Sequence, residues 1–269
     1  MFPNEARVEL STVGAVGVIR LVNPPLNPLT NGMRTRLREI AEAVTTREDI
    51  RAVVLTSGSP GSLSVGSDIK GFPTTPESGR EVSADEHAAY DALENMPQPL
   101  VAVIRGHTLG GGLELSLVAD IRVAEDTTVI GLPEVKVGVF ASGGGTQRLP
   151  QIIGAGRARH LLLLGEPIDA ATALSWGLVT ALTPEGRGEA EAMRIADQLA
   201  QLPQLSMRAT KHCVNTGLTQ GRSAGREAEI DCIADVYGSA DASEGVRAFI
   251  EKRPPKFTHQ LTTPEGSNI

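Results

Sequence analysis

Gly106-His107-Thr108-Leu109-Gly110-Gly111-Gly112-Leu113-Glu114-Leu115-Ser116-Leu117-Val118-Ala119-Asp120 stands one residue after the apolar run Leu100–Ile104 (LVAVI). An unbroken apolar run of this length suits a strand buried on both faces, as in a parallel sheet covered by helices. The glycines at 110–112 mark a strand-to-helix turn where the backbone approaches something closely and aims its N–H groups at it. Glu114 then falls on a helix whose neighbours Leu113, Leu115, Leu117, Val118 and Ala119 are apolar nearly all round. Such a helix is buried, and a carboxylate on it is costly unless it is paired or used. Desolvation should raise its pKa toward the range useful for proton transfer.

Working outward, a second junction has the same design. Ala52–Thr56 (AVVLT) leads through a glycine-bearing loop to Ser64-Val65-Gly66-Ser67-Asp68-Ile69-Lys70. Two amides, one per loop, would form an oxyanion hole for a carbonyl oxygen gaining charge. Glycines placed for the sterics of a tight turn alone are the plainer alternative for either loop. A second carboxylate, Glu134, lies in the apolar setting Gly131-Leu132-Pro133-Glu134-Val135, ahead of the glycine turn Ser142–Thr146. Its plainer alternative is a surface carboxylate at a helix start. Two carboxylates in apolar settings beside an amide pair are what acid–base work next to a carbonyl needs.

The remaining pattern frames these sites. Arg7–Leu10 and Val16–Val22 read as a hairpin around Val13-Gly14-Ala15, and Asn31–Val44 carries a helical period. Gly58–Gly61 and Pro73–Gly79 read as loops, and the chain beyond Gly154 reads as mostly helical. Strands alternating with helices predict an α/β layered fold. The expected division is a core over residues 1–200 and a helical C-terminal segment over 201–269.

Composition excludes several classes. With 25 Lys and Arg against 32 Asp and Glu, the chain carries a formal charge of −7, and only 3% of its 269 residues are aromatic. Neither a basic nucleic-acid face nor a base-stacking platform is expected. The five histidines are scattered, Cys213 and Cys232 form no C-x-x-C, and no metal site is expected. No phosphate-binding P-loop or G-x-S-x-G nucleophile turn occurs. Met1–Leu10 lacks a signal-peptide pattern and no apolar run is long enough for a bilayer, so a cytoplasmic protein without membrane partners is expected.

Leu63–Lys70, Gly106–Asp120, and Leu132-Pro133-Glu134 through Gly144-Gly145-Thr146-Gln147-Arg148-Leu149 together resemble the enoyl-CoA hydratase/isomerase (crotonase) superfamily, hydratase-like branch. The resemblance extends to Asn23–Leu29, to Ala173–Val179, to Lys211–Asn215 and to Glu244–Lys252, and so covers nearly the whole chain. It implies a spiral of β-β-α units with a C-terminal helical trimerisation segment, assembled as a homotrimer or a hexamer of two trimers. It implies an acyl-CoA thioester substrate and no metal or redox cofactor, coenzyme A being part of the substrate. By resemblance, the amides of Ser67 and Gly111 hold the thioester oxygen, Glu114 activates water and Glu134 protonates Cα. Asn27, Pro28, Leu29, Gly66, Asp68, Ile69, Gly110, Phe140 and Ser142 are implied on the substrate side. Phe249 and Lys252 would meet CoA from a neighbouring subunit. One departure stands out: Ala141-Ser142 replaces the Pro-Gly usual in the family's hydratases, at a position near the catalytic water.

Three functions are carried forward. Hydration of a 2-enoyl-CoA to a 3-hydroxyacyl-CoA leads, because both carboxylates are retained. Isomerisation or other chemistry through a CoA-thioester enolate is the alternative, and a non-catalytic CoA-binding subunit is the alternative from another class.

Overall fold

The computed structural model describes residues 6–58 and 61–261. Of the segments read above, Met1–Glu5, the centre of the Gly58–Gly61 loop and the tail beyond residue 261 lie outside the described residues. The strands are β1 (Arg7–Val13), β2 (Val16–Val22), β3 (Ala52–Ser57), β4 (Leu100–Ile104), β5 (His107–Leu109), β6 (Ile121–Glu125), β7 (Val129–Gly131), β8 (Ile168–Asp169) and β9 (Ala181–Thr183). The helices are α1 (Asn31–Thr45), α2 (Pro76–Glu94), α3 (Gly111–Leu117), α4 (Gly145–Ile153), α5 (Ala155–Leu164), α6 (Ala170–Trp176), α7 (Gly188–Ala200), α8 (Gln204–Gln220), α9 (Arg222–Tyr237) and α10 (Ala240–Ile250).

One sheet runs β1-β2-β3-β4-β6-β9, antiparallel at its first pair and parallel thereafter; a smaller one runs β5-β7-β8. Chain order alternates between them: β4 in the large sheet, β5 in the small one, then α3; β6, β7, then α4. Bridges from Ser62 to Gly106 and from Ser64 to Thr108 extend the same step to the chain after β3. This is the β-β-α spiral, and it stacks the loop after β3 against the turn after β5.

Both faces of the large sheet are covered, which is why β3 and β4 read as continuous apolar runs. On one face Ile19, Leu21, Val53 and Leu55 pack with Leu37, Ile40 and Val44 of α1 and Tyr90 and Leu93 of α2. On the other, Val54, Val101, Val103 and Val123 meet Ala192, Ala196 and Ala200 of α7. Thr30 caps α1 by accepting from the Met33 amide, and the helix buries Met33, Leu37, Ile40, Ala41 and Val44 at helical spacing.

The expectation of a loop over Pro73–Gly79 needs correction, because α2 begins at Pro76. Thr75 and Ser78 form a reciprocal capping box with Pro76 just inside it, so these residues specify a helix start. Farther on, α8 is held to the core by Lys211, whose Nζ lies 2.8 Å from Asp120 Oδ2 and 3.1 Å from the Gln98 carbonyl. The chain after α10 is pinned by carboxylates of that helix: Thr258 and His259 amides donate to Asp241, and the Lys256 amide donates to Glu244.

Candidate active site

The strand-to-helix turn before α3 requires glycine at two points. Gly110 has φ 53°, a left-handed conformation, and a Cβ there would lie 3.0 Å from Glu134 Oε1. A Cβ on Gly112 would lie 2.2 Å from the Ser64 carbonyl oxygen, so the two loops are in backbone contact. Leu109 N–H donates to that same carbonyl at 3.0 Å. The stacking brings Gly111 beside Ser67, with a Cβ on Gly111 falling 3.6 Å from Ser67 N. Among the described residues neither the Ser67 nor the Gly111 amide donates a hydrogen bond, and both residues line a cavity of about 630 Å³.

Glu114 and Glu134 line the same cavity. Glu114 is 3% exposed, and its Oε1 accepts from Gly143 N and Gly145 N, both at 2.8 Å. Burial pushes its pKa up to about 8, with a smaller push from Glu134; the two amide bonds pull the other way. Glu134 opens a single 3₁₀ turn, Glu134–Val137, closed by left-handed Gly138. Both its carboxylate oxygens are buried with no hydrogen-bond partner among the described residues. Desolvation pushes its pKa up to about 7. One carboxylate is thus held by two N–H groups and the other stands bare in the cavity wall, an arrangement suited to a fixed base and a proton donor.

The structure sorts the expected substrate-side residues. Leu29, Gly66, Asp68, Ile69, Gly110, Phe140 and Ser142 line the cavity. The Asp68 side chain caps the turn beyond it through the Lys70 amide at 3.1 Å. Ile69 and Phe140 stand largely exposed. Asn27 and Pro28 do not line it. Asn27 is fully buried, and its Nδ2 binds the Ser62 and Leu63 carbonyls at 3.2 Å each, so it ties its own loop to the chain after β3. Phe249 and Lys252, at the end of α10, are exposed and outside this cavity.

Ser142 in place of glycine is accommodated without strain, since the non-glycine residues with positive φ in the described chain are Asn27, Lys252 and His259. Its carbonyl accepts from Ser83 Oγ at 3.0 Å, which ties the Ala141–Gly145 turn to α2.

Sequence reasoning missed four residues. Arg34 of α1 and Glu86 of α2, 3% and 4% exposed, both line the cavity and form an ion pair at 2.6 Å. Tyr90, fully buried, donates to the Gly111 carbonyl at 3.1 Å and so orients the peptide unit following that amide. Lys136 lines the cavity with its side chain exposed. Arg34 and Glu86 are 52 residues apart, and only the packing of α1 on α2 joins them. Among the described residues, no group of three or more His, Cys, Asp or Glu is placed to hold a metal ion.

A model of the enoyl-CoA hydratase/isomerase family matches residues 11–260. The chain belongs to the enoyl-CoA hydratase/isomerase family. It is 35% identical over 246 residues to a Mycobacterium leprae protein bearing the name probable enoyl-CoA hydratase, covering 91% of this chain and 95% of that one. It is also 35% identical over 237 residues to the mitochondrial methylglutaconyl-CoA hydratase of Mus musculus, covering 86% and 75% respectively. The crystal structure of an enoyl-CoA hydratase from Bacillus anthracis superposes with a TM-score of 0.88 at 31% identity, over 94% of this chain and 98% of that one. Family membership and the mixed α/β spiral expected from the sequence are therefore established.

Proposed function

We propose that this family member adds water across the double bond of a 2-enoyl-CoA thioester to give a 3-hydroxyacyl-CoA. The observation that carries the proposal is the pairing of Glu114 and Glu134 on one cavity with the free amides of Ser67 and Gly111. With the thioester oxygen on those amides, electron density withdrawn from Cβ is stabilised as an enolate. Ionised Glu114 takes a proton from water as its oxygen bonds to Cβ, and protonated Glu134 delivers a proton to Cα. One water is consumed, and the two carboxylates exchange protons with solvent to reset. The hydratase names of the relatives at 35% identity support the same reaction.

Around that chemistry the reading includes a 1–200 spiral core and a 201–269 segment serving assembly and CoA closure. The exposed apolar side chains Ile230, Ile233, Tyr237, Val246, Phe249 and Ile250 of α9 and α10 support a homotrimer or a hexamer. In such an assembly Phe249 and Lys252 reach a neighbour's CoA, and Lys136 offers charge to its phosphates. No cofactor beyond the CoA of the substrate is required. No helix among the described residues is long and apolar enough to cross a membrane, and cytoplasmic fatty acid metabolism is the proposed setting.

The test is loss of enoyl-thioester absorbance across a panel of 2-enoyl-CoAs, with products weighed by mass spectrometry. The expected product gains one water, and Glu114→Gln and Glu134→Gln each lower turnover by about 10²-fold or more. Tight CoA-thioester binding without water gain would move the assignment to isomerisation or another enolate reaction.

A further inference from the structure

The wall of the cavity contributed by α1 and α2 is polar. Arg34 Nη2 lies 2.6 Å from Glu86 Oε1 and 2.6 Å from Ser67 Oγ, while Ser67 Oγ itself donates to Glu86 Oε1 at 3.1 Å. This triangle sits beside the Ser67 amide, so it borders the place where the reacting acyl group must lie. Ser83, one turn before Glu86 on α2, and Ser142 face the same cavity. Arg34 Nη1 is held by Asn31 Oδ1 at 2.9 Å, and Arg34 Nε is buried with no partner among the described residues. Glu86 Oε2 accepts no hydrogen bond from the described residues.

A saturated alkyl chain is a poor occupant for such a wall. It would cover the Glu86 carboxylate, whose Oε2 accepts nothing from the described residues, and a desolvated charge without full partners is costly. A carboxylate is a poor occupant too, because Arg34 is already neutralised by Glu86 while Glu114 and Glu134 face the same space. An alcohol matches best: its O–H donates to a carboxylate oxygen such as Glu86 Oε2, and its lone pairs accept from a serine hydroxyl. We propose that Arg34, Glu86 and Ser67 form a specificity pocket for an acyl group bearing a hydroxyl substituent near the reacting double bond. This rests on the hydratase reading and names its substrate class.

The experiment compares kcat/KM for 2-hexenoyl-CoA with its 4-, 5- and 6-hydroxy analogues and with the matched chain ending in a carboxylate. The wild-type protein should favour at least one hydroxylated analogue over 2-hexenoyl-CoA by about tenfold or more, since a site built to bond a hydroxyl discriminates strongly against its absence. The double variant Arg34→Met with Glu86→Leu should reverse that order. Glu86→Gln, which keeps size and polarity, should reduce the preference without reversing it. Should the double variant fail to fold, the wild-type ranking and Glu86→Gln still decide. Equal hydration of plain and hydroxylated chains, or an unchanged ratio in folded variants, overturns the pocket while leaving the hydratase reading intact. Preference for the carboxylate chain overturns the alcohol assignment. Water addition to none of the five overturns the hydratase reading itself, and the pocket with it.

Discussion

Replacing Glu114 by glutamine should make the protein more stable as pH rises, while costing it activity. The wild-type carboxylate is 3% exposed, and its pKa is raised from 4.5 to about 8 chiefly by burial. A carboxylate whose pKa is higher folded than unfolded binds its proton more tightly in the native state. The resulting stability is fully present below the unfolded pKa and is lost as pH climbs to the folded one. The difference between those values corresponds to about 5 kcal/mol at the upper limit, spread over that window and constant above about pH 8. Glutamine has no charge to desolvate, and Glu114 receives both of its amide bonds on a single oxygen, Oε1, which the side-chain amide oxygen reproduces. Urea unfolding of both proteins, followed by the fluorescence of Trp176, measures the effect. The two should agree within about 1 kcal/mol near pH 5 and diverge toward several kcal/mol near pH 9, the variant being the more stable. Parallel curves across that range would refute the claim that the carboxylate is held against its desolvation cost.

The pH dependence of turnover follows from the same pair. The proposed reaction needs Glu114 ionised and Glu134 protonated, so kcat/KM should rise as Glu114 loses its proton and fall as Glu134 loses its own. With those groups pushed up to about 8 and about 7, the optimum should lie between these values on a bell-shaped profile. A rate that stays flat from about pH 6 to 9 would exclude the pair as acid and base. Gly112→Ala should be damaging out of proportion to its one added methyl group. That methyl would sit 2.2 Å from the Ser64 carbonyl oxygen, forcing the two oxyanion loops apart. Expected are a stability loss of about 2–3 kcal/mol in urea titration and a fall in turnover of about 10²-fold. Wild-type turnover in that variant would show that the loops tolerate separation.

The parts of the molecule legible in its sequence are those where burial is uniform. β3 and β4 could be read because helices cover both faces of their sheet, which forces apolar residues at every position. Glu114 was legible as an exception on a wholly buried helix. The start of α2 was not, because α2 turns one side toward a cavity, through Gly79, Val82, Ser83 and Glu86, where a core-facing helix would carry hydrophobic residues. The Arg34–Glu86 pair was invisible for a different reason: each residue reads as an ordinary surface charge until α1 and α2 are packed together. Asn27 was expected on the substrate or CoA side because its stretch resembles a CoA-side loop; what only the fold shows is its amide bonding two backbone carbonyls.

The backbone contact between Gly112 and the Ser64 carbonyl has a consequence for how such a protein diverges. In the proposed reaction, charge is stabilised by main-chain N–H groups locked together by other main-chain atoms, so no side-chain identity encodes it beyond the glycines that permit the approach. The proposed acyl pocket, by contrast, is built from side chains of α1 and α2 outside that Gly112–Ser64 contact. Substitutions at 34, 83 and 86 would leave that main-chain contact in place, reaching the site only through the Ser67 hydroxyl and the Ser142 carbonyl that these side chains bond. A mutational library confined to those positions should redistribute substrate preference among its members far more often than it abolishes turnover.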